Sequence, residues 1–550
     1  MREDQSVYFA ALKNGALDNF FGAVIAGETV SQGIGVHHLD PGSDVELVVR
    51  LQGASAGPHR VGITLNGTWL GRVEWSDLLS GEGRFTVPAG VVREETATVS
   101  FEPLGGDGDV SLIDRTTLRY GHTYRADSGV LTCTVPGGVG VVLRGFGAGS
   151  IRVIDVTDPH RPQEVWGPFS NGSVAVTVPG FGTRRIIAFD GIRTSRPVSI
   201  EVNQPSSLWA GPGADLLIIG AKDLLPAVGP LVQLRQSQGL SVLTADIEDV
   251  VDEFGAGEWG AGAIQEFLRH ALDEWSRPPA YLLLVGDTTV DPRNYLGYGA
   301  KDLVPTEWVE TEYFETASDA TMADADGNGL PDLAIGRLPV ATLAEAQAVV
   351  AKIVGYERQS SSGPVVLVVD ANDEENDFEE AGRSLLKFIP RGQAVTMLQR
   401  GHLGAEGVRL RLIEELQRGP MLVNYVGHGS ARMWAGDMLR VDYLQSLSSA
   451  RLTTVLAMTC LNGYFQDPVQ DSLGEVLLKT PAGGAAAVWS SSGLTEMAGQ
   501  VVIDRALLQQ LFAGSAVRLG DAILAAIAAT DDPNVRATWV LLGDPTTRVH

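Results

Sequence analysis

From residue 1 to about residue 205, apolar and polar positions alternate in short runs. "DVELVVRL", "HRVGITLNG", "TATVSFEPL", "VGVVLRGF", "SIRVIDV" and "SVAVTVPG" are separated by Gly, Pro, Asp and Asn. Period-two alternation with turn residues at this spacing predicts half-buried antiparallel strands, so residues 1–205 are expected to form an all-β sandwich domain. The pattern changes at "DLLIIG". Strands are predicted at 214–220, 240–244, 280–286, 364–370, 420–426, 453–459 and 484–489, and most are continuous apolar runs. Such runs belong to strands covered on both faces of a parallel sheet. Between them, "AGAIQEFLRHALDEW" (261–275) repeats Ile264, Phe267, Leu268, Ala271, Leu272 and Trp275 at helical spacing, and "ATLAEAQAVVAKIVGYE" (341–357) is a second helix. Alternating strands and helices imply a doubly wound α/β architecture.

A chain of 550 residues is too long for one core. "EVNQPSSLWAGPGA" (201–214) reads as a linker, and "RQSSSGP" near residue 360 as a second boundary. The expected organisation is therefore 1–205, 206–360 and 361–550, the last two being α/β. Charge narrows the possible partners. The net charge of −26 disfavours nucleic acid, whose affinity comes mainly from Lys and Arg. No apolar run reaches the length of about 18 residues needed to cross a bilayer. "MREDQSVYFAALKNG" lacks a basic-then-apolar leader pattern, so a soluble protein without a transmembrane segment is expected. Two cysteines, Cys133 and Cys460, make neither a disulfide framework nor a zinc motif.

Candidate chemistry concentrates where two predicted strands run out. "MLVNYVGHGS" ends in His428 between two glycines, and "LTTVLAMTCLNGYF" ends in Cys460. Ligands of open α/β sheets sit beyond the carboxyl ends of the strands. If the two strands are neighbours, their tips lie about 5 Å apart. A thiolate nucleophile and an imidazole acid/base would then face each other, and the N–H groups of Gly429 and Cys460 could hold an oxyanion. A buried thiol is more often a small hydrophobe, and Cys133 in "GVLTCTVPGG" keeps that reading.

"NYVGHGS", with Trp434 following, and "TCLNGYF" resemble the histidine and cysteine blocks of gingipain-type cysteine peptidases, a family similar in fold to caspases and legumains. "QGLSV", "YLLLVGDTTVDPRN", "LPDLAIGRLPV" and "TWVLLGDP" extend the likeness over residues 210–550. The resemblance implies a caspase-like sheet and a cysteine endopeptidase acting on protein or peptide substrates. Cys460 would be the nucleophile, His428 the general acid/base, and Gly429 with Cys460 the oxyanion donors. It also implies a carboxylate after strand 364–370, where "VVDANDEENDFEEAG" offers Asp370, Asp373, Glu374 and Asp377. Asp373 is expected to orient His428. Asp377, which resembles the acid that recognises a basic P1 side chain, and Trp434 are expected to bind substrate.

"DADGNGLPD" (324–332) places Asp324, Asp326, Asn328 and Asp332 in the oxygen-ligand rhythm of a calcium loop, with Ile335 where a bidentate glutamate would complete it. Any calcium would be structural, since Cys–His acyl transfer needs no cofactor. The loop and the resemblance together suggest an extracellular or cell-surface protein. The rival reading is a secreted binding or adhesion protein on a degenerate peptidase scaffold. Retention of both Cys460 and His428 weighs against it.

Overall fold

In the computed structural model, residues 1–15, 18–93, 95–147, 149–191, 196–197, 199–200, 202, 206–358, 363–513 and 517–549 are described. The expected boundaries at 205 and 360 both fall outside these residues. Two compact units result, Met1–Phe9 with Asp18–Asn203, and Ala10–Leu17 with Gln204–His550.

The first unit is built of antiparallel sheets, but with two cores where the sequence suggested one. Strands Val24–Ile25, Ser111–Arg119, Val45–Gly53 and Ser80–Val87 make one sheet. Strands Val30–Val36, Glu95–Pro103, Pro58–Leu65 and Thr68–Ser76 make another. Their alternating apolar residues meet in one cluster, in which Leu47, Val49 and Leu51 of the first sheet and Ile63, Val99 and Phe101 of the second are fully buried. Two smaller sheets, drawn from Val130 to Asp190, enclose a separate cluster around Leu143, Val135, Ile186 and Ala188. Periodicity marks strands but not which of them share a core, so the pattern alone could not separate the two.

The second unit is organised on one ten-stranded sheet. Its strands are β1 (Leu216–Gly220), β2 (Val242–Asp246), β3 (Tyr281–Val285), β4 (Ala334–Leu338), β5 (Val365–Val369), β6 (Val395–Gln399), β7 (Leu422–Val426), β8 (Thr453–Met458), β9 (Ala485–Ser491) and β10 (Trp539–Leu542). The order across the sheet is β2-β1-β3-β4-β10-β9-β8-β7-β5-β6. All neighbours are parallel except β9 and β10. The sheet is thus two parallel halves of opposite direction, and β10, the last strand in sequence, joins them. The expected subdomains 206–360 and 361–550 share one continuous sheet, and β10 of the later segment lies in the half formed by β1–β4. Its faces are covered by helices that include α1 (Ala261–Glu274), α2 (Leu343–Glu357), α3 (Phe378–Leu385), α4 (Leu473–Lys479) and α5 (Met497–Leu511). The apolar stripe of α1 is inward as its spacing requires, with Ile264, Phe267, Leu268 and Ala271 fully buried.

Buried charges tie these elements together. Arg235 donates to Asp544 Oδ2, through Nε at 2.8 Å, and to Glu357 Oε1 at 2.8 Å. This locks the turn after β10 to α2, and removing one partner of such a buried pair costs about 3–5 kcal/mol. Lys352 on α2 donates to the carbonyls of Leu477, Leu478 and Thr480 at 3.2, 2.6 and 2.8 Å. It satisfies the C-terminal carbonyls of α4 that have no helical donor. Burial pulls its ammonium down to about 7.

Asp504 on α5 lies fully buried over the middle of β7, where it accepts from Asn424 Nδ2 at 2.5 Å. Burial pushes its carboxyl from 3.8 up to about 7. Between these two values the folded chain keeps a proton that the unfolded chain releases, so stability falls as pH rises through that window. Replacing Asp504 with Asn is therefore expected to stabilise the protein at pH 8 by roughly 2–4 kcal/mol. At pH 4 the gain should vanish, as denaturant unfolding at the two pH values will show.

Candidate active site

β7 and β8 pair in parallel with Val426 opposite Met458, and each chain runs two residues further, to His428 and to Cys460. The two residues therefore occupy equivalent positions beyond adjacent strand ends, at the carboxyl edge of this half of the sheet. Close backbone approach keeps them there. Gly427 N–H donates to Met458 O at 3.3 Å. A Cβ added at Gly429 would lie 2.5 Å from the hydroxyl of Thr459, so only glycine lets the histidine loop lie against the residue before the cysteine.

The imidazole is held from two sides. His428 Nε2 lies 2.7 Å from Asp373 Oδ2, and the edge of Phe378 packs against the ring with centroids 5.0 Å apart. Asp373 is itself fixed, accepting from the N–H groups of Glu375 and Asn376 at 2.8 and 2.7 Å. Its hydrogen bond to His428, helped by these amides, draws its carboxyl down to about 2, so it is ionised at any working pH. With Nε2–H given to Asp373, Nδ1 carries the free lone pair. The backbone of His428 is pinned as well. Its N–H donates to the buried Asp370 at 3.1 Å, and its carbonyl accepts from Tyr425 Oη at 2.6 Å and Ala435 N at 2.9 Å. Arg400 pairs with Asp370 behind it.

Cys460 is half-buried, and its Sγ–H donates to Thr495 O at 3.5 Å. Burial raises the thiol above its ordinary range, so it rests protonated and requires a base. Among the described residues, sulfur and imidazole share no hydrogen bond, and the N–H of Cys460 donates to nothing. That amide is free to receive an oxyanion. Beside the thiol, Tyr313 Oη donates to Glu496 Oε1 at 2.5 Å, and the carboxylate of Glu496 is exposed. Neither Tyr313 nor Glu496 stands out in the sequence, because the hairpin of Tyr313 is remote from both blocks.

The remaining expected residues separate. Trp434 is only 1% exposed, stacked on Tyr425 with centroids 4.1 Å apart, and its Nε1 donates to Asn462 Oδ1 at 2.7 Å. No ring surface is left for a substrate, so the expectation of substrate contact is corrected to that of a prop under the histidine loop. Asp377 caps α3: its Oδ1 accepts from Glu380 N at 2.9 Å and Asn372 Nδ2 at 2.8 Å, leaving Oδ2 toward solvent. Cys133 lies in the first unit, its thiol pushed up to about 11 by burial. The carboxylates of Asp324, Asp326 and Asp332 each bring an oxygen within 4.8 Å of the others. Asn328 stays within the same turn, its N–H 3.0 Å from Asp324 Oδ1 and from Asp326 Oδ1. Carboxylate oxygens are the ligand type of a hard cation.

A thiol and an aspartate-held imidazole at neighbouring strand ends of one sheet edge are groups that a cysteine hydrolase uses. Residues 210–550 match the model of peptidase family C25, and the chain belongs to that family. Lys-gingipain W83 of Porphyromonas gingivalis is 23% identical over 298 residues, 52% of this chain and 16% of that protein. The chain thus matches about a sixth of that relative's length. The structure of the Arg specific cysteine proteinase gingipain R superimposes with a TM-score of 0.52 at 19% identity, covering 63% of this chain and 80% of that one. Dimeric latent PorU from Porphyromonas gingivalis superimposes with a TM-score of 0.55 at 16% identity, over 100% of this chain and 52% of that one. These two likenesses are of fold, and the second extends through the antiparallel first unit.

Proposed function

We propose that the protein is a cysteine endopeptidase, on the strength of the register that sets Cys460 and His428 side by side with Asp373 behind the imidazole. Substrate entry displaces the thiol from Thr495 O. Nδ1 of His428 takes the Sγ proton, and sulfur attacks the peptide carbonyl. The oxyanion is received by the N–H groups of Cys460 and Gly429. The C–N bond then breaks, with the imidazolium giving its proton to the leaving amine. Water, deprotonated by the same imidazole, cleaves the thioester and restores the thiol. Asp373 stays ionised throughout and stabilises the imidazolium. The exposed carboxylate of Glu496 beside Cys460 supports a preference for a basic P1 side chain.

Replacing Cys460 with Ala is expected to abolish both cleavage and labelling by a peptide electrophile, with the fold intact by circular dichroism. Continued turnover in that variant would refute the assignment. The rival reading, a binding protein on an inactive scaffold, predicts instead a thiol that labels no faster than a buried one.

We further propose that Asp324, Asp326, Asn328 and Asp332 hold a structural calcium ion, with no part in the chemistry. A loop of this kind, lacking a bidentate glutamate, fits extracellular calcium levels and accords with an extracellular or cell-surface location. No helix among the described residues is long and apolar enough to cross a membrane. Millimolar calcium is expected to raise the melting midpoint. The shift should be reversed by a chelator and missing in Asp326→Ala, and a midpoint indifferent to calcium would eliminate the site.

A further inference from the structure

Ten described residues other than glycine have positive φ, and nine of them are His, Asn, Asp, Glu, Ser or Ala. The tenth is Leu461, at φ 64°, immediately after Cys460. Asn and Asp visit this left-handed region at little cost, but a branched aliphatic side chain there is strained. Such a conformation persists only when its surroundings over-determine it.

Those surroundings are visible. Leu461 N donates to Gly493 O at 3.1 Å, Tyr464 N to Leu461 O at 3.0 Å, and Gly463 N to Ser491 O at 2.8 Å. The next residue, Asn462, is 1% exposed and uses both ends of its amide. Oδ1 accepts from Trp434 Nε1 at 2.7 Å, and Nδ2 donates to Ser430 O at 2.7 Å. Ser430 and Trp434 belong to the hairpin that begins at Gly429, next to His428. One side chain from the cysteine loop therefore grips the histidine loop at two points. The left-handed turn at Leu461 aims that side chain back across the gap while Cys460 stays at the cleft. Leu461 is half-buried and belongs to none of the apolar clusters.

We infer that Leu461 and Asn462 are positioning residues: a strained turn and an amide clamp that together set the Cys460 thiol relative to the His428 imidazole. The inference rests on the peptidase reading of that pair. Stability is given up in the turn, and alignment of the two reacting groups is gained. Glycine, which adopts this φ without strain, should keep the alignment and add stability, whereas a β-branched residue, which disfavours it, should impair the chemistry.

Leu461→Gly removes the Cβ that makes this conformation costly while keeping the same path open. Its melting midpoint is expected at or above that of the parent, with kcat within about threefold. Leu461→Val, whose β-branch disfavours the left-handed turn, should lose kcat about ten- to hundredfold, as misplacement of a reacting group does, with KM within about twofold. Leu461→Met is the conservative variant and is expected to retain turnover. Asn462→Asp keeps an acceptor for Trp434 but sets an oxygen against Ser430 O. It should lower kcat as Leu461→Val does, with circular dichroism unchanged. Leu461→Val and Asn462→Asp proteins that keep kcat within about threefold, or that lose activity only in step with a fallen midpoint, overturn the inference. Cys460→Ala measured alongside separates the two levels. Cleavage surviving there removes the peptidase reading itself, whereas cleavage lost there but kept in Leu461→Val and Asn462→Asp removes only the positioning role.

Discussion

The parallel register of β7 on β8 is the constraint from which the site follows. Two strands side by side at about 4.8 Å bring their next residues into one neighbourhood without any contact between the side chains themselves. A shift by one residue would turn His428 to the opposite face of the sheet and part it from Cys460. Register is held by fully buried apolar residues on both strands and by the absence of a side chain at Gly429, where Thr459 fills the space. Packing of the interior and placement of the reactive groups are thus one problem with one solution.

Around that constraint, polar groups divide their work by depth. Asp370, Asn462 and Tyr425 are buried and hold backbone, and each uses its hydrogen-bonding capacity on the histidine loop. Asp373 is exposed and holds a side chain. Buried donors and acceptors with every partner present resist movement because leaving any one unsatisfied costs about 1–3 kcal/mol. An exposed ion pair is weaker and leaves its side chains freer to adjust. The loop is rigid where its backbone path matters and yielding at its exposed side chain.

Much of this arrangement was legible in the chain. Continuous apolar runs located β1, β3, β5, β7, β8 and β9, because strands covered on both faces tolerate little else. β6, "VTMLQ", escaped since an edge strand is apolar on only part of its surface, and β10 read as a C-terminal motif rather than as the strand joining the two halves. The histidine and cysteine blocks announced themselves through glycine and position. What pattern cannot carry is the direction of a side chain. Trp434 in sequence could equally line a cleft or lie beneath it, and the amide of Asn462 looks like any turn residue. Tyr313 and Glu496 meet only because the sheet brings distant segments together. The acids after β5 illustrate the same limit, since Asp373 reaches the imidazole while Asp377, four residues on, caps a helix.

Residues Ala10–Leu17 belong to the second unit although the first unit intervenes before the rest of it. Leu12 is buried, and Ala10 O receives the N–H of Glu315 at 2.8 Å. On a ribosome this segment emerges before its docking site and must wait for it. Roughly 300 further residues, at 5–20 per second, make that delay about 15–60 s. The antiparallel unit has time to collapse around its own cores first. The segment's partner, the two-stranded hairpin that carries Glu315, lies about 300 residues further along, so closure of this part of the scaffold is coupled in time to the synthesis of that hairpin.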